Sequence, residues 1–224
     1  MFKRYAPHAA VILLVSITVV GVLAYTNNQP PGYSSSYPGY YDTDYRSIQF
    51  RDDVQSQSLP EESLTDLVFL DVNGREVQLK EYIGRKNVVL VMTRGFSSSI
   101  CLYCSTQTSR LMANYPEFSK RDTEVVVVFP ILTDADRGRL REFVSATKKT
   151  MDRPPEQVPF PILLDVELKA VNKLGLRYDL AKPATYILDR EGQVRFSYVG
   201  TGLNDRPSVK AMLKQLDALG NGTT

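Results

Sequence analysis

The stretch NVVLVMTRGFSSSICLYC, residues 87–104, decides the fold. Its first part, Asn87–Thr93, is a continuous apolar run rich in valine, which is typical of a strand covered on both faces of a sheet. A short loop, residues 94–100, leads to Cys101, where a predicted helix begins and extends to about Phe118. The stretch therefore predicts a strand–loop–helix unit with a C-x-x-C pair at the beginning of the helix.

The segments on either side of this unit alternate between strand and helix patterns. A second valine-rich run, Thr123–Ile131, indicates another strand buried on both faces. Shorter patterns predict a hairpin around Asn73–Gly74, a helix begun by Thr133 and Asp136, a strand at Pro161–Leu164, a brief helix capped by Asp165, a closing hairpin of Ala184–Leu188 and Val194–Tyr198, and a last helix from about Asp205–Pro207. The alternation predicts a mixed three-layer α/β domain.

The N-terminus has a different character. Its first residues carry Lys3 and Arg4 and no acid, and Ala9–Tyr25 follows as 17 residues without charge. This length suits either a membrane-spanning signal anchor or a signal peptide that is removed. The basic flank predicts that the N-terminus stays in the cytoplasm and the rest is exported. We therefore expect residues 1–25 to be a transmembrane or signal helix, with the domain on the extracytoplasmic (periplasmic or cell-surface) side, or secreted after cleavage.

Residues 26–58 form a second compositional segment, rich in Tyr, Ser, Pro and Gly. No apolar period of a strand or a helix appears in it, which predicts a disordered linker between the membrane and the domain. Globular patterns begin at about residue 59. The predicted folded domain therefore covers residues 59–224.

Charge and histidine usage exclude several classes of function. The net charge is +2, so the chain lacks the basic footprint of a nucleic-acid-binding protein. The single histidine, His8, precedes the apolar segment, so the domain has no imidazole for a Ser-His-Asp or Cys-His nucleophile. Two cysteines without a histidine are too few ligands for a zinc site in one chain and disfavour a copper carrier. We expect neither a metal nor a cofactor.

After these exclusions, the class of function that the sequence favours is redox chemistry of the two cysteines. At a helix N-terminus, Cys101 faces unsatisfied backbone N–H groups and the positive end of the helix dipole, which predicts a lowered pKa. Cys104 follows one turn later, so the pair can cycle between dithiol and disulfide, with Cys101 attacking and Cys104 resolving. An inert structural disulfide is the alternative, but a bridge that closes so small a loop constrains the unfolded chain little.

Two blocks of sequence resemble the AhpC/TSA (peroxiredoxin-like) branch of the thioredoxin superfamily. The first is Thr93-Arg94-Gly95-Phe96 followed by Cys101-Leu102-Tyr103-Cys104, and the second is the run Lys182–Asp189. The resemblance covers roughly residues 61–219. It implies a thioredoxin-like three-layer sandwich with an N-terminal β-hairpin extension and a thiol-based oxidoreductase or antioxidant activity.

The resemblance also implies supporting roles for four residues around the cysteines: Arg94, Ser98, Tyr103 and Pro183. In typical peroxiredoxins a Pro-x-x-x-Thr-x-x-Cys loop builds the peroxide pocket; here Ser98 fills the hydroxyl position and Arg94 replaces the proline. A catalytic arginine of that family corresponds to Pro183, which the resemblance predicts to be a cis-proline facing the cysteines.

These departures favour a thiol–disulfide oxidoreductase acting on protein or small-molecule thiols and disulfides. A peroxiredoxin-like peroxidase is the alternative, with peroxides as substrates. A non-catalytic interaction domain or copper carrier is the third hypothesis.

Overall fold

A computed structural model describes residues 44–220 of the chain. The predicted anchor or signal segment, residues 1–25, and the first part of the predicted linker lie outside the described residues. Among residues 44–220, no helix combines the length and the apolar character needed to cross a membrane.

Seven strands and five α-helices make up the described part of the chain. The strands are Val68–Leu70 (β1), Glu76–Gln78 (β2), Asn87–Met92 (β3), Thr123–Ile131 (β4), Ile162–Val166 (β5), Ala184–Leu188 (β6) and Val194–Val199 (β7). The helices are Leu102–Ala113 (α1), Tyr115–Ser119 (α2), Arg139–Lys149 (α3), Lys169–Lys173 (α4) and Val209–Gly220 (α5). Short 3-10 helices lie at Leu64–Asp66, Leu79–Tyr82 and Asp134–Gly138.

The strands form one mixed sheet in the order β2-β1-β5-β4-β3-β6-β7. The three central strands β5, β4 and β3 are parallel, and the two hairpins β1–β2 and β6–β7 join them in antiparallel pairing. Both predicted hairpins are therefore confirmed, with Gly74 at a positive φ of 82° in the first turn. The apolar runs β3 and β4 lie next to each other at the centre of the sheet.

The apolar residues of β3 and β4 divide between two buried clusters, one on each face of the sheet. Val89, Val91 and Val127 belong to the cluster that also contains residues of α1, α3 and α5. Leu90 and Val126 lie at the alternate positions of the same strands and belong to the cluster that contains residues of α4 and the first hairpin. Because side chains alternate along a strand, burial of both faces requires the continuous apolar run seen in the sequence. The predicted three-layer arrangement is confirmed.

The last part of the predicted linker packs against the domain. Ile48 and Phe50 are buried, and the Gln57 N–H donates to the Ser197 carbonyl of β7 at 2.8 Å. Arg51 pairs through its backbone with the loop between β7 and α5. The packed domain therefore begins before the predicted boundary at residue 59. Two isolated apolar residues are too few to produce a strand or helix period, so the pattern did not reveal this segment.

Candidate active site

The loop between β3 and α1 is fixed to the end of β4. The Thr93 hydroxyl donates to the Val128 carbonyl at 2.9 Å, and the Phe96 N–H donates to the Pro130 carbonyl at 3.0 Å. Gly95 between them has φ +89°, and a Cβ there would lie 2.3 Å from the Pro130 oxygen. The close approach requires glycine, and it sets the path of the chain toward the helix.

Cys101 is the N-cap residue of α1. Its carbonyl accepts from the Ser105 N–H at 3.0 Å, which starts the helix, and its Sγ accepts from the Cys104 N–H at 3.4 Å. Both cysteines are free thiols within the buried core, Cys101 1% exposed and Cys104 fully buried. The predicted placement of the pair at the helix N-terminus is thus confirmed, and the N-cap places the Cys101 sulfur against the first turn of the helix.

The charge of the reduced pair lies on Cys104. Burial raises the pKa of Cys101 well above its usual value, and the hydrogen bond between the two thiols raises it further. Burial would also raise the pKa of Cys104, but the hydrogen bond with Cys101, the charge of Arg206 and a backbone hydrogen bond from Arg94 lower it to about 5. The prediction that Cys101 has the lowered pKa is therefore wrong. Cys101 is not exposed, and the nearby cation lies beside the other sulfur.

Arg206 is the residue that the sequence analysis missed. It is 1% exposed, and its Nη2 lies 3.3 Å from the Cys104 Sγ. Its Nη1 donates to Gln107 Oε1 at 2.8 Å and its Nε to the Leu203 carbonyl at 2.6 Å. The sequence pattern placed Arg206 at the beginning of the last helix, whereas it lies in the loop before that helix, which begins at Val209. Nothing in the sequence distinguished this arginine from a surface one.

The segment before β1 holds the backbone of Arg206 in place. The Arg51 N–H donates to the Arg206 carbonyl at 2.8 Å, and the Ser208 N–H donates to the Arg51 carbonyl at 2.8 Å. The adjacent Asp205 carboxylate does not pair with the Arg206 guanidinium. It accepts instead from the Tyr198 hydroxyl at 2.6 Å and from the Thr201 N–H at 2.9 Å. The guanidinium is therefore directed at Cys104 from a fixed loop.

Three other predicted residues lie along the same unit, with different surroundings. The Arg94 side chain forms an ion pair with Asp179 at 2.7 Å, while its backbone bonds to Cys104. Ser98 is exposed, and Tyr103 is half-buried against the cluster that contains both cysteines. Arg94 therefore contributes to the site through its backbone, and its guanidinium is engaged with a carboxylate.

Pro183 differs from its predicted conformation. Residues 44–220 contain no cis peptide bond, so the Lys182–Pro183 bond is trans and the cis prediction is wrong. The Lys182 N–H donates to the Leu176 carbonyl, and the Pro183 carbonyl accepts from the Gly200 N–H, each at 2.8 Å. Trans is the form that X–Pro bonds favour by about 0.5–1 kcal/mol. Ala181, two residues earlier, donates to the Arg94 carbonyl, which places this segment beside the site loop.

The fold and site together define a class: a thioredoxin-like sheet that carries a buried dithiol at the start of its first helix. Within residues 44–220, no group of three or more His, Cys, Asp or Glu side chains is arranged to hold a metal ion. The AhpC/TSA family matches residues 56–197. The chain belongs to that family, and its activity is that of a thiol oxidoreductase or thiol peroxidase.

Several solved peroxiredoxin structures are similar to this chain. A reduced 2-Cys peroxiredoxin of Plasmodium vivax is 19% identical over 69% of this chain and 77% of its own, with a TM-score of 0.52. A cysteine-to-serine mutant of peroxiredoxin 6 of Arenicola marina is 17% identical over 75% and 76%, with a TM-score of 0.59. Peroxidoxin BcpB of Mycobacterium tuberculosis is 16% identical over 71% and 97%, with a TM-score of 0.53. These similarities establish the fold. No curated protein matches the sequence.

Proposed function

We propose that this chain is a thiol–disulfide oxidoreductase in which Cys101 and Cys104 alternate between dithiol and disulfide. One observation carries the proposal: two hydrogen-bonded thiols lie one helical turn apart, with the charge of one of them stabilised by Arg206. A lowered thiol pKa makes a better leaving group in disulfide exchange. Cys101 is therefore the sulfur that forms the mixed disulfide with a substrate, and Cys104 is the sulfur that leaves or resolves it.

A thiol peroxidase is the second candidate. It is supported by membership of the AhpC/TSA family and by a guanidinium beside a reactive sulfur, a cation suited to a developing oxyanion. In that reaction a thiolate attacks one peroxide oxygen and releases the other as water or alcohol. The resulting sulfenic acid condenses with the second thiol to a disulfide and water, and an external dithiol restores the pair and is itself oxidised to a disulfide. The same two cysteines serve both candidates.

Parallel assays of the full chain separate the two candidates. One assay follows reduction of insulin disulfides by the chain in the presence of a dithiol, and the other follows peroxide consumption. We expect exchange activity to be the faster of the two and to be lost in both Cys101→Ser and Cys104→Ser. Cys104→Ser should accumulate mixed disulfides, whereas Cys101→Ser should accumulate none. Wild-type activity in both cysteine variants would contradict the proposal.

We also propose that residues 1–25 anchor the chain, or are cleaved, so that the domain lies outside the cytoplasm. The support is the basic flank before the uncharged run Ala9–Tyr25. A reporter that works only after export, fused after Thr224, should be active. A reporter active only in the cytoplasm would contradict this placement.

A further inference from the structure

Arg206 is a buried cation, and among the described residues Cys104 is the ionisable side chain to which its guanidinium is hydrogen-bonded. Among the described residues 44–220, no carboxylate lies within ion-pair distance of its guanidinium. Its contacts are two neutral oxygens, from Gln107 and Leu203, and the Cys104 sulfur. The charge is therefore balanced when the dithiol carries a thiolate, which the hydrogen bond from Arg206 favours at Cys104.

Oxidation removes that balance. In a Cys101–Cys104 disulfide both sulfurs are neutral, and the guanidinium of Arg206 stays buried opposite them. A buried charge without a counter-charge is strongly unfavourable, whereas a paired and hydrogen-bonded one is tolerated. Arg206 is 1% exposed, and its backbone carbonyl accepts from the Arg51 N–H at 2.8 Å. The disulfide form therefore lacks a stabilising interaction that the dithiol form has.

We propose that Arg206 makes the disulfide the electron-accepting form, so that the chain oxidises substrates carrying paired thiols. The inference rests on the proposed exchange function and deepens it by assigning the direction and the substrate class, a reduced dithiol. Stabilisation of the reduced form is what raises the reduction potential of a dithiol–disulfide couple. The arginine thus sets the potential through Cys104.

The reaction balances in two exchange steps. A substrate thiolate attacks the Cys101 sulfur of the disulfide, the S–S bond breaks, and Cys104 leaves as a thiolate beside Arg206. The second substrate thiolate then attacks the substrate sulfur of the mixed disulfide, forming the substrate disulfide and releasing Cys101, which takes up a proton. Two electrons pass from the substrate to the protein. Of the two protons lost by the substrate, one goes to Cys101 and the other to solvent.

The test is the redox equilibrium of the full chain with mixtures of reduced and oxidised glutathione. Arg206→Met removes the charge and keeps the apolar stem; Arg206→Lys restores a cation. We expect Arg206→Met to shift the equilibrium toward the disulfide by at least about tenfold, or about 30 mV, and Arg206→Lys to recover part of the shift. Arg121→Met, which removes an exposed pair with Asp217, is the matched control and should leave the equilibrium unchanged.

Two further measurements, one of them on the wild-type chain alone, test the same inference. The free energy of unfolding of the wild-type chain should be larger for the dithiol form than for the disulfide form at neutral pH. The thiolate absorbance of the reduced chain should also titrate at higher pH in Arg206→Met. A wild-type disulfide form more stable than the dithiol form, or an unchanged equilibrium in a folded Arg206→Met variant, would overturn the inference. A wild-type chain that does not exchange with glutathione at all would instead overturn the proposed function.

Discussion

Gly95→Ala tests whether the close approach of the site loop to β4 positions the dithiol. An alanine at a positive φ costs about 1–2 kcal/mol. Its Cβ would also lie 2.3 Å from the Pro130 oxygen, so the loop must move and the Phe96 hydrogen bond to Pro130 is lost, at about 1 kcal/mol. We expect the free energy of unfolding to fall by about 2–3 kcal/mol, measured by denaturant titration followed by circular dichroism.

Gly84→Ala is the matched control for this substitution. Gly84 has a similar φ of +79°, and nothing lies within 4 Å of the position of its Cβ, so the variant should lose only the backbone cost of about 1–2 kcal/mol. The displaced loop in Gly95→Ala should also weaken the backbone hydrogen bond from Arg94 to Cys104 and raise the pKa of that thiol. Equal losses of stability in the two variants, with an unchanged thiol pKa, would refute the reasoning.

Two further predictions concern titration and capping. The reduced chain should keep its thiolate absorbance down to about pH 5, and Cys104→Ser should lose it. The pKa of Cys104 in the folded chain lies below its ordinary 9.0, so the stability that the Cys104 thiolate contributes is full above pH 9 and is lost as the pH falls to about 5. Comparing the free energy of unfolding of the reduced chain with that of Cys104→Ser between pH 9 and pH 5 checks this direction. Asp165→Ala removes the buried acceptor of the Ala170 and Val171 N–H groups and should lower the free energy of unfolding by about 2 kcal/mol, whereas Asp136→Ala, at an exposed site, should change it by less than about 0.5 kcal/mol.

The central part of the fold was predictable because burial on both faces leaves a strong signal. The valine-rich runs of β3 and β4 have no polar alternation, and only a covered central strand explains such a pattern. The role of Asp165 at the brief helix was also predicted, and its carboxylate accepts from the Ala170 and Val171 N–H groups, although the N-cap residue of that helix is Leu168. The position of the cysteines followed from the same strand–loop–helix pattern.

The electrostatics of the site were not predictable from local sequence. Arg206 lies far from Cys104 along the chain and reaches it through a loop that has no period. The position of Cys101 at the helix N-terminus led to the prediction that Cys101 is the thiolate. In the structure both sulfurs are buried, and the guanidinium of Arg206 lies beside the Cys104 sulfur. The trans bond before Pro183 is the form that X–Pro bonds ordinarily favour, and the wrong expectation of cis came from the family resemblance.

The most direct test of the central claim is the state of the two cysteines before and after oxidation. The full chain is treated with oxidised glutathione, unfolded, alkylated with a maleimide and weighed intact by mass spectrometry. The reduced chain should carry two adducts, one on each of its two cysteines, and the oxidised chain none; a dithiol should restore both. Two adducts after oxidation, or one adduct with a stable glutathione on the other sulfur, would contradict a Cys101–Cys104 redox cycle.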